Sequence, residues 1–100
     1  MDKAVFSNVY KLKKGTNTEE FVQAYEKLIQ EHIAKQAVFV SSKIMSDGDV
    51  WSDVVVFESM GALKQFEENS VQPNELALKF YSYLNINSCR TNRFTVEKTF

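Results

Sequence analysis

Residues 50 to 57, VWSDVVVF, are apolar on both sides of any strand they form, and this constrains the fold more than any other stretch. Side chains alternate along an extended chain, so Trp51, Asp53, Val55 and Phe57 share one face while Val54 and Val56 take the other. A strand with two apolar faces needs cover on both. The preceding segment, AVFVSSKIM, adds Val38, Val40 and Ile44 opposite Phe39 and Met45. It is joined to the first by Ser46-Asp47-Gly48-Asp49, whose Asp-Gly centre predicts a two-residue type I′ turn with Asp47 and Gly48 as the loop. That register pairs Ile44 with Trp51, Ser42 with Asp53 and Val40 with Val55.

The flanking sequence supplies the other elements. Residues 3 to 13 alternate, with Ala4, Phe6, Asn8, Tyr10 and Leu12 on one side and Val5, Ser7 and Val9 on the other. Lys14 and Gly15 turn the chain, and TNTEE offers a capping box, either Thr16 with Glu19 or Asn17 with Glu20. The helix that follows carries Phe21, Tyr25, Leu28, Ile29 and His32 on one stripe and is expected to run to about Lys35. Ser59 can cap a second helix bearing Met60, Leu63 and Phe66. Pro73 can open a third bearing Leu76, Phe80, Tyr83 and Leu84. Residues 91 to 100 alternate again, with Phe94, Val96 and Phe100 against Thr95, Glu97 and Thr99. The order is βαββαβ with its second helix split. This predicts one α+β domain over residues 1 to 100, ferredoxin-like, with the helices on one face of a four-stranded antiparallel sheet.

The helix-free face then exposes apolar side chains of the second and third strands. At about 25 cal/mol per Å² of apolar area, leaving them wet costs several kcal/mol, comparable with the whole stability of a small domain. A second copy of the same sheet is the simplest cover, so a homodimer through this face is expected. Charge argues against other partners. Twelve basic and 13 acidic residues give a net charge of -1, which offers no footprint for nucleic acid or an anionic membrane. The RNA-recognition fold shares the element order, but the third strand carries an acid where that fold's Lys/Arg-Gly-aromatic signature belongs. Cys89 is the one cysteine and His32 the one histidine, so neither an internal disulfide nor a Cys/His metal site is expected, and a reducing, cytoplasmic setting fits. Polar residues interrupt every apolar run near the amino terminus, and VVVF at 54 to 57 is far short of a membrane span.

The stretch VFSNVYKLKKGTNTEEF, with Asn8 and the Lys14-Gly15-Thr16 turn, resembles the first strand and helix start of haem-degrading members of the antibiotic biosynthesis monooxygenase superfamily. The element order resembles that superfamily of dimeric α+β barrels over most of the chain. The resemblance implies a pocket between sheet and helices in each subunit, two sheets packed into a barrel, and a small-molecule oxidoreductase as the activity. The haem-degrading branch ligates haem through a histidine in its second helical region, whereas residues 59 to 84 contain none, and its tryptophan is matched at best by Phe66. No haem binding of that kind, and no other cofactor, is expected.

Three polar residues interrupt apolar faces and are the catalytic candidates. Asn8 is a poor strand former and costly to bury alone, so it either orients a ligand or satisfies nearby backbone. His32 ends the helical stripe, either packed against the sheet or lining a cavity as a proton acceptor. Asp53 sits beside Trp51 and must be paired, solvated or raised in pKa. Phe6, Tyr10, Trp51, Phe57 and Phe66 are candidate substrate-binding aromatics, with plain core as the alternative reading. Cys89 reads as an inert buried thiol. The expected function is a cofactor-independent monooxygenase, or related small-molecule enzyme, acting on a hydrophobic or aromatic compound. The alternative is a non-catalytic binding module for a hydrophobic metabolite.

Overall fold

The computed structural model describes residues 2–35, 38–72 and 74–100. Strands β1 (Ala4–Leu12), β2 (Phe39–Asp47), β3 (Val50–Phe57) and β4 (Leu84–Thr95) form one antiparallel sheet in the order β2-β3-β1-β4. Helix α1 (Thr18–Glu31) joins β1 to β2, and α2 (Met60–Asn69) and α3 (Glu75–Tyr81) together join β3 to β4. This is the βαββαβ order with a divided second helix. No helix among the described residues is long and apolar enough to cross a membrane.

Each helix begins where a side chain can satisfy its free N–H groups. Of the two capping options, the Asn17 carboxamide is the one used, accepting from Glu20 N at 3.1 Å. Ser59 Oγ accepts from Ala62 N at 3.1 Å to open α2, and Asn74 Oδ1 accepts from Ala77 N at 2.9 Å to open α3. The expected opening at Pro73 lies outside the described residues. Helix α1 stops at Glu31, with His32 as its C-cap, and a single 3₁₀ turn, Ile33–Lys35, replaces the last α-helical turn expected.

Two registers differ from expectation. The hairpin loop is Gly48 and Asp49, not Asp47 and Gly48, because Asp47 pairs with Val50. Gly48 takes the positive φ (62°) that the turn demands. A bulge between Phe39 and Ser41 moves Phe39 from its expected face to the one that Ile44 and Phe57 share, while the slip of two residues leaves the side chains from Ser41 to Asp47 on theirs. The slip also moves the partners, so Ile44 rather than Ser42 lies opposite Asp53, and Ser42 lies opposite Val55. The last strand starts at Leu84 instead of 91. Lys13 N donates to Tyr83 O at 2.8 Å and draws the chain into the sheet directly after α3. Opposite Tyr10 the ladder is interrupted: Val9 pairs with Arg90, but Lys11 pairs with Asn85. The intervening residues of β4 bulge, and Lys11 N donates to Ser88 Oγ at 2.8 Å instead of to a ladder carbonyl.

The core lies between the sheet and the helices. Tyr10, Phe21, Phe57 and Leu63 are its largest fully buried side chains, and Phe21 stacks on Phe80 at 5.4 Å between centroids. On the opposite sheet face Val5, Val9, Val54 and Val56 are half-buried, while Met45 and Phe94 are exposed.

Nothing lies within 4 Å of a Cβ added at Gly48, so its substitution is a matter of backbone conformation alone. Gly48→Ala should cost about 1 kcal/mol in urea unfolding, and Gly48→Asn less, because asparagine tolerates the left-handed region.

Candidate active site

Sheet order and register set Thr91 of β4, Asn8 of β1 and Asp53 of β3 side by side in one row on the helix-covered face. The row is hydrogen-bonded throughout. Thr91 Oγ1 donates to Asn8 Oδ1 at 2.7 Å, which fixes the amide so that Asn8 Nδ2 donates to Asp53 Oδ1 at 3.1 Å. The Tyr10 hydroxyl, two residues along β1, donates to Asp53 Oδ2 at 2.7 Å. Asp53 is only 3% exposed. Among the described residues the ion pairs are Lys11 with Asp49 and Arg93 with Glu67, so Asp53 is held by neutral donors and no cation. Burial pushes the Asp53 carboxyl pKa above its ordinary value, and the bonds from Tyr10 and Asn8 only partly oppose this. Burial first, and the neighbouring Asp53 charge second, raise the Tyr10 and Tyr25 hydroxyls well above the ordinary tyrosine range, so both remain protonated donors.

This cluster lines a cavity of about 300 Å³. Phe6, Tyr10, Tyr25, Phe66 and Phe80 supply its aromatic wall. The Tyr25 hydroxyl is bonded to Ser42 Oγ. Toward solvent the lining includes Ile86 and Cys89, which the β4 bulge swings inward, and Tyr81. Burial and the Asp53 charge push the Cys89 thiol pKa up, leaving a protonated, poorly nucleophilic group. Arg93 closes another side: its guanidinium lies 5.4 Å from the Phe6 ring centroid and forks onto Glu67 at 2.5 and 2.8 Å, tying β4 to α2.

The structure thus gathers Asn8, Asp53, Phe6, Tyr10 and Phe66 around one cavity. The other sequence candidates lie elsewhere. His32 faces a smaller neighbouring pocket between the helix ends instead of packing against the sheet. Trp51 packs edge-on to Phe21 at 5.3 Å and faces surface grooves beside the β2–β3 turn and α1. Phe57 is wholly buried against Phe66 at 5.1 Å, as core. Sequence reasoning passed over Thr91, Tyr25 and Arg93. Tyr25 was visible on the stripe of α1, but only the register of β4, bulge included, brings Thr91 and Arg93 to the site.

Because folding raises the Asp53 pKa above 3.8, the native state keeps a proton that the unfolded chain has already lost. The stability contributed here is therefore greatest below pH 3.8 and falls as pH rises through the folded value. Asp53→Asn carries no ionisable group. Its melting temperature relative to the wild type should rise as the pH increases from 4 to 8. Thermal scans across that range measure it.

No family model matches the sequence, and no curated protein matches it. Solved structures do. SnoaB, a cofactor-independent oxygenase from Streptomyces nogalater, superposes with a TM-score of 0.76 at 17% identity, over 99% of this chain and 97% of that one. The ActVA-Orf6 monooxygenase of Streptomyces coelicolor, solved in complex with Nanaomycin D, gives 0.75 at 15% identity, over 99% and 91%. A dimeric ferredoxin-like protein from an uncultured marine organism gives 0.73 at 15%, over 100% and 92%. At such identities the likeness is one of architecture, and the chain has the ferredoxin-like fold that these proteins share.

Proposed function

We propose that this chain is a cofactor-independent oxygenase that oxidises a hydrophobic aromatic compound in the 300 Å³ cavity, with Asp53 as the base. The observation that carries the reading is a buried carboxylate, held by neutral donors, set in an aromatic wall. SnoaB, a cofactor-independent oxygenase, and the ActVA-Orf6 monooxygenase share the fold and support it. The volume sits at the small end of ligand pockets, about 300 to 1,000 Å³, and suits a compound of a few fused rings.

Ground-state oxygen is a triplet and reacts slowly with closed-shell molecules, but an electron-rich anion can pass it one electron. A carboxylate with raised pKa is a stronger base than a surface aspartate. Each Asp53 oxygen spends one acceptor position on Asn8 or Tyr10 and retains another for a substrate hydroxyl. Asp53 removes the phenolic proton, the phenolate reduces oxygen, and the pair recombines at a ring carbon. Loss of water then converts that C–H to a carbonyl. The sum is one phenol and one O₂ to one quinone and one water. Asn8 and Tyr10 position the base, while Phe6 and Phe66 hold the ring.

Oxygen uptake above the uncatalysed rate with a panel of fused-ring phenols tests this. The kcat should rise with pH through the Asp53 titration, and Asp53→Asn should lower kcat about 100-fold, the contribution of a general base. Uptake that Asp53→Asn leaves unchanged would remove the base from the mechanism.

The same reading includes a homodimer through the helix-free sheet face, closing two sheets into a barrel. The half-buried valines of that face, and exposed Met45 and Phe94, support it, as does the dimeric state named for one protein of this fold. Light scattering at micromolar concentration should give twice the 11.5 kDa chain mass, and Val56→Asp should shift it toward the monomer.

A further inference from the structure

The cavity that holds Asp53 is bordered by a second one of about 80 Å³, in which His32 lies. Leu28, Ile33, Phe66 and Tyr81 line both, so what divides them is a thin partition of side chains. Of these, Tyr81 is the one with room to move aside toward solvent. Tyr81 is 48% exposed, and Phe66 is half-buried. The chemistry on the two sides differs. The larger space is aromatic, with one acidic group. The smaller is walled at the ends of α1 and α2 and in the turn before α3, and presents His32, Asn69, Ser70, Gln72 and Asn74.

Among the described residues the side chains of His32, Asn69 and Gln72 are engaged in no hydrogen bond, and Asn74 uses only its Oδ1, as the α3 cap. An imidazole and three carboxamides therefore keep donors and acceptors for whatever occupies the space. The mixture offers both donors and acceptors, which suits a hydroxyl or carbonyl. At about 30 Å³ per water, the pocket holds two waters or a substituent of two or three heavy atoms.

We infer that the ligand site is bipartite: the His32 pocket receives a short polar substituent of the compound whose ring system occupies the Asp53 cavity. The inference rests on the proposed use of that cavity, and it makes His32 a specificity-determining residue, not a base. A compound with this tail gains one or two hydrogen bonds that a bare ring lacks, while the Phe66 and Tyr81 partition admits only a narrow chain.

Two probes separate the possibilities: 2-naphthol, and 6-(2-hydroxyethyl)-2-naphthol, which differs only by a three-atom polar tail. Calorimetry should show the tailed probe binding about tenfold tighter, the value of one hydrogen bond of ordinary strength. His32 is the only histidine, so its imidazole proton resonances are unambiguous. They should shift with the tailed probe and stay in place with 2-naphthol, a response that a purely structural helix cap would not give. In His32→Ala the affinity ratio should fall toward one. Asn69→Ala, at an exposed site, provides a second variant in which the ratio should also fall. Equal affinities in the wild type, or a ratio that persists in both variants, would overturn the bipartite site while leaving the Asp53 cavity intact. Failure of both probes to bind would remove the cavity reading and this inference with it.

Discussion

A carboxylate that is 3% exposed without a cation beside it is the constraint that the rest of this structure answers. Burying such a charge costs several kcal/mol unless hydrogen bonds replace the lost water. The replacement comes from two side chains on the neighbouring strand, and one of these is itself fixed by a third strand. The pairing of β1 between β3 and β4 is thus an electrostatic requirement as well as a topological one. A shift of β1 by one residue would turn Asn8 and Tyr10 to the opposite face and strand Asp53 among aromatic rings.

The aromatic surroundings make that solution rigid. Tyr10 meets Phe21 and Phe80 edge-on at 6.1 and 6.0 Å, and Phe21 in turn stacks on Phe80. The hydroxyl that holds Asp53 therefore belongs to a ring locked on two sides, and its orientation is fixed before any ligand arrives. Such preorganisation lowers the cost of binding, since little side-chain entropy is left to lose.

Much of this was legible in the sequence because strand alternation and helix caps are local signals. Asn8, Tyr10 and Asp53 were each recognisable as polar interruptions or as members of one face, and the two-sided apolar strand foretold a fold with an uncovered sheet face. Their mutual pairing was not legible, because the β1–β3 register depends on contacts far apart in sequence. The hairpin shows the limit well. Asp47-Gly48 and Gly48-Asp49 are both good turn pairs, and only the assembled ladder chooses between them. Both readings of His32, packed against the sheet or lining the main cavity, follow from extending the helical stripe one turn too far. Once α1 ends at Glu31, the imidazole leaves the stripe and points to the helix ends.

The bulge in β4 gives this architecture room to diverge. Between Asn85 and Arg90 the strand is released from the β1 ladder, yet Ile86 and Cys89 from that interval face the cavity. Side chains there can change, and the interval can lengthen or shorten, without disturbing the row that carries Asp53. Ligand choice and structural integrity are thereby encoded in separate stretches of one strand. Descendants of such a chain could acquire new ligands through changes in this interval while the remainder stays under purifying selection.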